Sequence, residues 1–262
     1  MKRGILGLVA MVVAMGATPA FAQEDAKSVI EKAITAMGGK EKLNQFPVSK
    51  SKFKGELSTM GIELKFEGVS IQGPGQYKLE MEGDFSGQSL KVVQIVDGAK
   101  VKTKTQFGGM DVPNMASDAE IEELKFSVIS QEINQLTPLL EKTKKFTLKL
   151  EAEDELDGKK VSVVNVKVKL DEKSDKTREV RLSFDKGTGY LVRISRKGIA
   201  PGDGEGREVD HVSVLSEFKK TEGIVTAMKT VNFIDGKKFM TLTTLEHKNL
   251  EKADPSEFTI TD

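Results

Sequence analysis

The chain of 262 residues contains no cysteine and no tryptophan, and only two tyrosines and two histidines. Without cysteine, neither a disulfide nor a lipid attached to a cysteine side chain is possible, so the folded part must be stabilised by its core alone. The lack of tryptophan, with Tyr77 and Tyr190 as the only tyrosines, argues against an aromatic platform that stacks sugars or bases. The sequence therefore predicts neither a disulfide scaffold nor a stacking site.

Arginine and clustered positive charge are also scarce. No arginine occurs between Arg3 and Arg178, so bidentate clamps for phosphate or carboxylate groups are not expected in the first two-thirds of the chain. The chain carries 40 basic and 40 acidic residues, whereas nucleic-acid binding requires a clustered basic surface. The composition therefore predicts no nucleic-acid partner.

The common catalytic motifs are missing, including HExxH, GxSxG, SxxK and the Walker loop. His211 follows Asp210, and His247 lies at the end of an extended segment. Because neither histidine has a catalytic partner in the sequence, both are interpreted as strand residues on the solvent face. We predict that the chain is not an enzyme and that it requires no cofactor.

The segment 200–210 is acidic and rich in glycine. Asp203, Glu205 and Asp210 could offer oxygen ligands to calcium, but their spacing departs from that of an EF-hand loop. A flexible hairpin loop accounts better for the composition, so no metal site is predicted. Whether this loop binds a cation is left open by the sequence.

Residues 1–22 have the pattern of an export signal. Lys2 and Arg3 precede an apolar run, and Ala20-Phe21-Ala22 supplies the small residues that signal peptidase accepts. The run is too short for a transmembrane anchor, which needs about 20 apolar residues. We expect cleavage after about Ala22, which would release residues 23–262 into the periplasm as a soluble domain with no transmembrane anchor.

Two regions have helical periodicity. Residues 25–37 place apolar side chains on one face, with Asp25 as the N-cap and a glycine pair after the last turn. A second helical region covers about 117–143, where Ser117 and Glu120 have the spacing of a capping box. Within it, Pro138 is expected to interrupt the helix and start a new one.

From Lys50 the hydrophobic period changes to two, which is typical of strands with one wet face. Gly68 shifts the phase of this alternation, so a β-bulge is expected there. Asp97-Gly98 and Asp235-Gly236 are typical of hairpin turns. We predict one domain of mainly β structure with helices (α+β). Its long antiparallel sheet, of ten or more strands, should curl into an incomplete β-barrel with a helical plug or lid on its concave face.

The curled face is expected to gather apolar side chains from strands and helix around a lipid cavity. The candidate cavity residues are Ile62, Leu64, Phe66, Tyr77, Leu79, Met81, Val93, Ile95, Ile121, Leu124, Val128, Ile133 and Leu136. Met110 and Met115 lie on a glycine-containing loop and are candidate lid residues, since methionine repacks easily around variable chains. The alternative is a filled core, in which the same side chains pack the helix onto the sheet and leave no space.

The order of several short motifs resembles a known family. They are Ala36-Met37-Gly38-Gly39 before Lys42-Leu43, the strand start Gly73 to Glu80, the turn Asp97 to Lys100, the helix Leu136 to Leu140, and the tail Asn249 to Phe258. In this order they resemble the LolA/LolB-like group of periplasmic lipoprotein carriers and outer-membrane lipoprotein-sorting proteins. The resemblance runs through most of the chain after residue 22.

This resemblance implies an incomplete barrel whose concave side holds acyl chains under a helical lid. It implies a periplasmic carrier of a lipid or a lipoprotein that moves its cargo towards the outer membrane, with membrane-bound donor and acceptor proteins as partners. The alternative is a lipid-sensing or protein-binding module of the same fold without a transport role. The arginine that the family places beside its cavity is replaced here by Gly73, and its tryptophans are absent, so the fold transfers more directly than the cargo.

Overall fold

The computed structural model describes residues 25–59, 62–113, 116–170, 175–201 and 206–259. The predicted export signal and Met115 lie outside these ranges. The described helices are α1 Ala26–Met37, α2 Lys40–Gln45, α3 Asp118–Asn134 and α4 Thr137–Glu141, followed by a 3-10 helix at Pro255–Phe258. Within the described part, none of them is both long and apolar enough to cross a membrane.

Among the described residues, fourteen strands form one sheet. In chain order they are β1 Val48–Thr59, β2 Ile62–Gly73, β3 Gln76–Phe85, β4 Gln88–Asp97, β5 Lys100–Phe107, β6 Met110–Val112, β7 Phe146–Leu150, β8 Asp154–Leu156, β9 Lys159–Lys169, β10 Thr177–Asp185, β11 Leu191–Ile199, β12 Glu208–Thr221, β13 Ile224–Ile234 and β14 Lys237–Leu250.

Every strand pairing is antiparallel, and the sheet stays open. The order across it is β6-β5-β4-β3-β2-β1-β14-β13-β12-β11-β10-β9-β7, with β8 paired to β9. Strand β1 therefore pairs with β14, which joins the first and last strands of the chain at the middle of the sheet. A sheet of this width curls, and the predicted fold class, a mainly β protein with an incomplete barrel and helices, is confirmed.

Tight turns set the registers of the hairpins. At Asp157-Gly158 and Asp235-Gly236 both central residues have positive φ, between 48° and 76°. This conformation matches the right-handed twist of the flanking strands, and Asp and Gly adopt it at low cost. The turn at Asp235-Gly236 was predicted from the sequence, and the structure confirms it.

The bulge expected at Gly68 is wrong. Strand β2 pairs with β1 and β3 in continuous register through this position. A Cβ on Gly68 would lie 2.2 Å from the Glu80 carbonyl oxygen and 2.8 Å from the Phe53 ring. The glycine therefore permits a close approach between neighbouring strands and does not shift the register. The register shift of β1 lies instead between Lys52 and Phe53, opposite β14.

Both predicted helix starts are confirmed. The Asp25 carboxylate accepts a hydrogen bond from the Ser28 backbone N–H at 2.7 Å, and Ser28 completes the capping box. Ser117 and Glu120 form the second capping box, at the start of α3. Leu136, with φ of 63°, interrupts the helical path before α4. The break therefore lies two residues before Pro138.

The largest core is filled by helices packed on one half of the sheet. Side chains from α1, α3 and α4 pack against β7, β9, β10 and β11. The fully buried members are Ile30, Ile133, Leu136, Leu182, Val164 and Val166, among others. Apolar burial on this scale, at roughly 25 cal/mol per Å², is the main source of stability in a chain without disulfides.

An ionic and aromatic cluster fixes α3 to the sheet. Glu123 of α3 pairs with Arg178 of β10, at 2.8 Å from Oε2, and with Arg196 of β11. Both guanidinium groups lie over the Phe126 ring, at 4.5 and 5.4 Å from its centroid. Phe126 itself is 2% exposed. The cluster therefore sets where α3 crosses the sheet.

Replacing Glu123 with glutamine should weaken this attachment. Removal of the carboxylate leaves two partly buried guanidinium groups without their counter-charge, and the expected loss in the free energy of unfolding is about 1–3 kcal/mol. Urea denaturation measures the loss. The control is Glu122→Gln on the same helix, whose carboxylate pairs with Lys125 in solvent and should contribute less than about 1 kcal/mol. Equal losses for the two variants would contradict the role of the cluster.

Candidate functional site

The strand register assigns the concave face of the whole sheet. One row of paired residues crosses the sheet from β10, beneath the helices, to β2. In order of the strands they are Leu182, Ile194, Ser213, Asn232, Met240, Leu57 and Leu64. Paired residues lie on the same side of a sheet. Leu64 and its neighbours therefore face the same side as the helices, on a part of the sheet that lies away from the helix-covered core.

An apolar cavity of about 300 Å³ lies on this open half. Its lining comes from strands β1, β2, β3, β13 and β14, and the described part of the chain contributes no helix residue to it. The apolar lining residues are Phe53, Leu57, Leu64, Phe66, Leu79, Met81, Met240 and Leu242, with Tyr77 beside them. This volume lies at the lower end of the range for small-molecule sites.

A second cavity of about 320 Å³ adjoins the first and extends towards α2 and the end of α3. Ser51, Gln72, Thr230 and Thr244 line both cavities. The second cavity also contains polar side chains from β14 and α3, including His247, Asn249 and Gln131. The two cavities therefore share part of their lining. The first is mainly apolar, and the second is lined by apolar and polar side chains in similar numbers.

Glycine makes room for an aromatic side chain in the apolar cavity. A Cβ on Gly55 would lie 2.2 Å from the Phe66 ring, so only glycine permits Phe66 to cross over β1. Phe66 also packs edge-on against Phe53, with ring centroids 6.2 Å apart. Burial raises the pKa of Tyr77 to about 12, so its hydroxyl stays neutral at physiological pH.

Five of the predicted cavity residues come together as expected. Leu64, Phe66, Tyr77, Leu79 and Met81 all line the apolar cavity. For Ile62, the structure describes the backbone as the first residue of β2 and not the side chain.

Val93 and Ile95 do not belong to this group, and their prediction is wrong. Val93 pairs with Glu80, and Ile95 pairs with Lys78. Along β3 these two partners alternate with Leu79 and Met81, which face the cavity. Val93 and Ile95 therefore face the other side of the sheet. On the outer face they pack with Phe258 of the C-terminal 3-10 helix. Strand β4 is apolar on both faces because this C-terminal segment covers its outer side, and the sequence pattern alone did not show which face was concave.

The helical candidates lie elsewhere. Ile133 and Leu136 are fully buried in the helix-covered core, and Val128 lines a separate cavity of about 390 Å³ near the turns at Gly75 and Gly98. Ile121 and Leu124 are half-buried on α3. The prediction that these residues line one cavity with Leu64 and Phe66 is wrong, because α3 contacts β2 and β3 near the turns at Gly75 and Gly98, away from that cavity.

The candidate lid residues are only partly described. Met110 lies on the edge strand β6 and is 72% exposed, and Met115 lies outside the described ranges. Their lid role stays a prediction. The acidic residues Asp203 and Glu205 also lie outside these ranges, while Asp210 pairs with Lys197 at 2.7 Å. Among the described residues, no group of three His, Asp or Glu side chains could hold a metal ion.

Several cavity residues were missed by the sequence reasoning. They are Phe53 and Leu57 of β1, and Met240 and Leu242 of β14. Their signal is the alternation of large apolar side chains at every second position, Phe53-Gly55-Leu57 and Met240-Leu242-Thr244. What the sequence lacked was the pairing of β1 with β14, which joins segments almost 200 residues apart.

The prediction that both histidines lie on the solvent face is wrong. His247 is half-buried on the concave face, where its Nδ1 lies 2.9 Å from Ser51 Oγ and its Nε2 lies 3.1 Å from Asn249 Oδ1. His211 is half-buried beside Arg196, with Nε2 at 3.0 Å from the Ile199 carbonyl oxygen. Burial lowers the pKa of both histidines below the usual 6.5.

These shifts predict a loss of stability in mild acid. Where the pH lies between the lowered pKa of the folded state and the usual value, the unfolded chain binds protons that the folded chain does not bind. The urea midpoint should therefore fall as the pH is lowered from about 7.5 to about 5, above the range where most carboxylates titrate. In the double variant His211→Gln, His247→Gln the midpoint should change much less over this range. An equally steep decline in the double variant would contradict the assignment.

Comparisons with known proteins identify the fold. No protein-family model and no curated protein matches the chain. Among solved structures, a DUF1329 family protein from Desulfovibrio piger is 12% identical, with 89% of this chain and 97% of that chain covered and a TM-score of 0.53.

Two further solved structures are less similar to this chain, with TM-scores just below 0.5. A LolA superfamily protein from Nitrosomonas europaea is 10% identical (90% and 98% covered, TM-score 0.49). A domain named as an outer membrane lipoprotein-sorting protein domain from Vibrio parahaemolyticus is 11% identical (89% and 95% covered, TM-score 0.48). Identities this low bear on fold and not on function. Taken with the open fourteen-stranded sheet of the described residues, the likeness to the DUF1329 family structure supports the incomplete-barrel fold predicted from the sequence.

Proposed function

We propose that the chain binds the acyl chain of a lipid or lipoprotein in the concave space and carries it through the periplasm towards the outer membrane. The observation that carries the proposal is the apolar cavity between β1–β3 and β13–β14, which the helices leave uncovered. Each methylene transferred from water to such a cavity contributes about 0.8 kcal/mol. An acyl chain can therefore be held without a specific polar contact.

The arrangement suits reversible loading. The lining residues Leu57, Leu64 and Met240 lie near the β1–β2 and β13–β14 connections, while α3 contacts the opposite end of the first strands, near the turns at Gly75 and Gly98. An acyl chain could enter between these connections without displacing the filled core. The predicted export signal supports a location outside the cytoplasm, where membrane-bound donor and acceptor proteins would be the partners.

The transport role is tested by moving lipid between vesicles. Donor vesicles carry a self-quenched fluorescent acyl lipid, acceptor vesicles carry none, and residues 23–262 are added at increasing concentration. A carrier increases the transfer rate in proportion to its concentration. Binding of the lipid without faster transfer would overturn the carrier proposal.

A lipid-sensing or protein-binding module is the second candidate. The edge strand β6 favours it, since Met110 and Val112 are 72% and 41% exposed there and an open strand edge can pair with another chain. The vesicle assay separates the two candidates, because a sensor binds lipid and leaves the transfer rate unchanged.

A further inference from the structure

The two adjoining cavities are lined without charge. None of their described lining residues is Asp, Glu, Lys or Arg, although 31% of the chain is charged. By contrast, the cavity on the other side of α3 is lined by Glu122, Lys125, Glu132, Lys145 and Arg178. Transfer of an ionised headgroup into an uncharged space is unfavourable, because no counter-charge compensates for the lost water. The concave space therefore disfavours phosphate, carboxylate and ammonium groups.

A directed chain of hydrogen bonds sets what Ser51 can offer to a ligand. The Asn249 amide Nδ2 donates to the Thr221 carbonyl oxygen at 3.3 Å, which leaves Oδ1 facing His247 Nε2. Nε2 therefore carries the hydrogen and donates, so Nδ1 is the acceptor and receives the Ser51 hydroxyl hydrogen. With its hydrogen used in this way, the Ser51 oxygen can only accept a further hydrogen bond.

Gln131 of α3 also lines the second cavity. Its Oε1 atom is buried without a hydrogen-bond partner among the described residues, so this oxygen is not open to a ligand. The acceptor that a ligand meets is therefore the Ser51 oxygen.

We propose that the cargo is an uncharged amphiphile whose polar end donates hydrogen bonds through a hydroxyl or amide N–H group. This inference rests on the proposed function and names the class of lipid that the same site takes. The polar end lies at Ser51. The hydrocarbon tail extends past Thr230 and Thr244 among the apolar side chains of β1, β3 and β14.

Displacement of a neutral fluorescent probe, N-phenyl-1-naphthylamine, tests the proposal. The competitors share one acyl chain and differ in the polar end: a monoacylglycerol, the methyl ester without a donor, and an anionic lysophosphatidate. The monoacylglycerol should displace the probe at about tenfold lower concentration than either of the others, which corresponds to about 1.4 kcal/mol. Equal displacement by all three would overturn the proposal.

One variant locates the preference. Ser51→Ala should weaken displacement by the monoacylglycerol several-fold and leave displacement by the methyl ester unchanged. Ser58→Ala, an exposed position on the same strand as Ser51, is the matched control and should change neither. A preference that survives in Ser51→Ala would overturn the assignment of the polar end.

The outcomes separate this inference from the proposed function. If the chain binds neither the probe nor any of the amphiphiles, the proposed function fails and the inference fails with it. If it binds all of them without discrimination, only the inference fails.

Discussion

Replacement of Thr244 with tryptophan is expected to weaken acyl-chain binding at least tenfold while the protein remains folded. Thr244 lines both concave cavities, so an indole at this position would occupy the space where they join. Overpacking normally costs about 1–3 kcal/mol in a filled core. Here the added ring enters empty volume, so the free energy of unfolding should change little. Probe titration and urea denaturation of the same sample measure the two effects.

The matched control is Thr243→Trp. Thr243 is adjacent on β14 and pairs with Lys54 and Lys229, so its side chain points to the outer face. This variant should bind the probe as the parent chain does. If Thr243→Trp weakened binding as much as Thr244→Trp, or if Thr244→Trp bound normally, the ligand site would not be the concave space.

Leucine-to-alanine substitutions should show that the two halves of the sheet are packed differently. Leu182 is 0% exposed beneath the helices, and its truncation leaves a new void, so Leu182→Ala should cost about 2–5 kcal/mol. Leu79 already borders an empty cavity. Leu79→Ala should therefore cost only the transfer part, about 1–2 kcal/mol. Urea denaturation with an unchanged m-value measures both losses.

The comparison is informative because both residues lie on the concave face of one sheet. If Leu79→Ala were as costly as Leu182→Ala, the first strands would surround a filled core in solution, with no room for a hydrocarbon tail. A small loss for Leu79 with a large loss for Leu182 supports a protein that is rigid on one half and hollow on the other.

Strands, turns and helix starts could be predicted from the sequence because they depend on local signals. The alternation of apolar residues around Leu64 and Phe66 predicted β2, and the Asp25 and Ser117 caps predicted where two helices begin. These features need only neighbouring residues, since period, capping and turn chemistry act within about four positions.

The sequence did not predict which face of the sheet a residue lies on where contacts with distant segments of the chain decide it. Val93 and Ile95 were assigned to the concave face because β4 is apolar on both sides, and only the packing of Phe258 on the outer side explains this pattern. The Glu123 cluster joins α3 to strands more than 50 residues later, although α3 also contacts β2 to β5. Neither contact leaves a periodic signal in the sequence.

The contact between Ser51 and His247 could not be predicted from the sequence for the same reason. Ser51 and His247 are 196 positions apart, and they come together because the first and last strands of the chain pair. His247 was interpreted as a solvent-facing residue because no partner was visible nearby in the sequence. The position of Ser51 and His247 beside the apolar cavity is therefore a property of the fold.

The most direct test of the hollow concave face is a crystal structure of residues 23–262 with an acyl chain that carries bromine at its terminal carbon. The anomalous signal locates the bromine without reference to any assumed pose. We expect one bromine site in contact with Leu57, Leu79 and Leu242, enclosed by β1–β3 and β14. A bromine on the outer face or beside the helices would contradict the account.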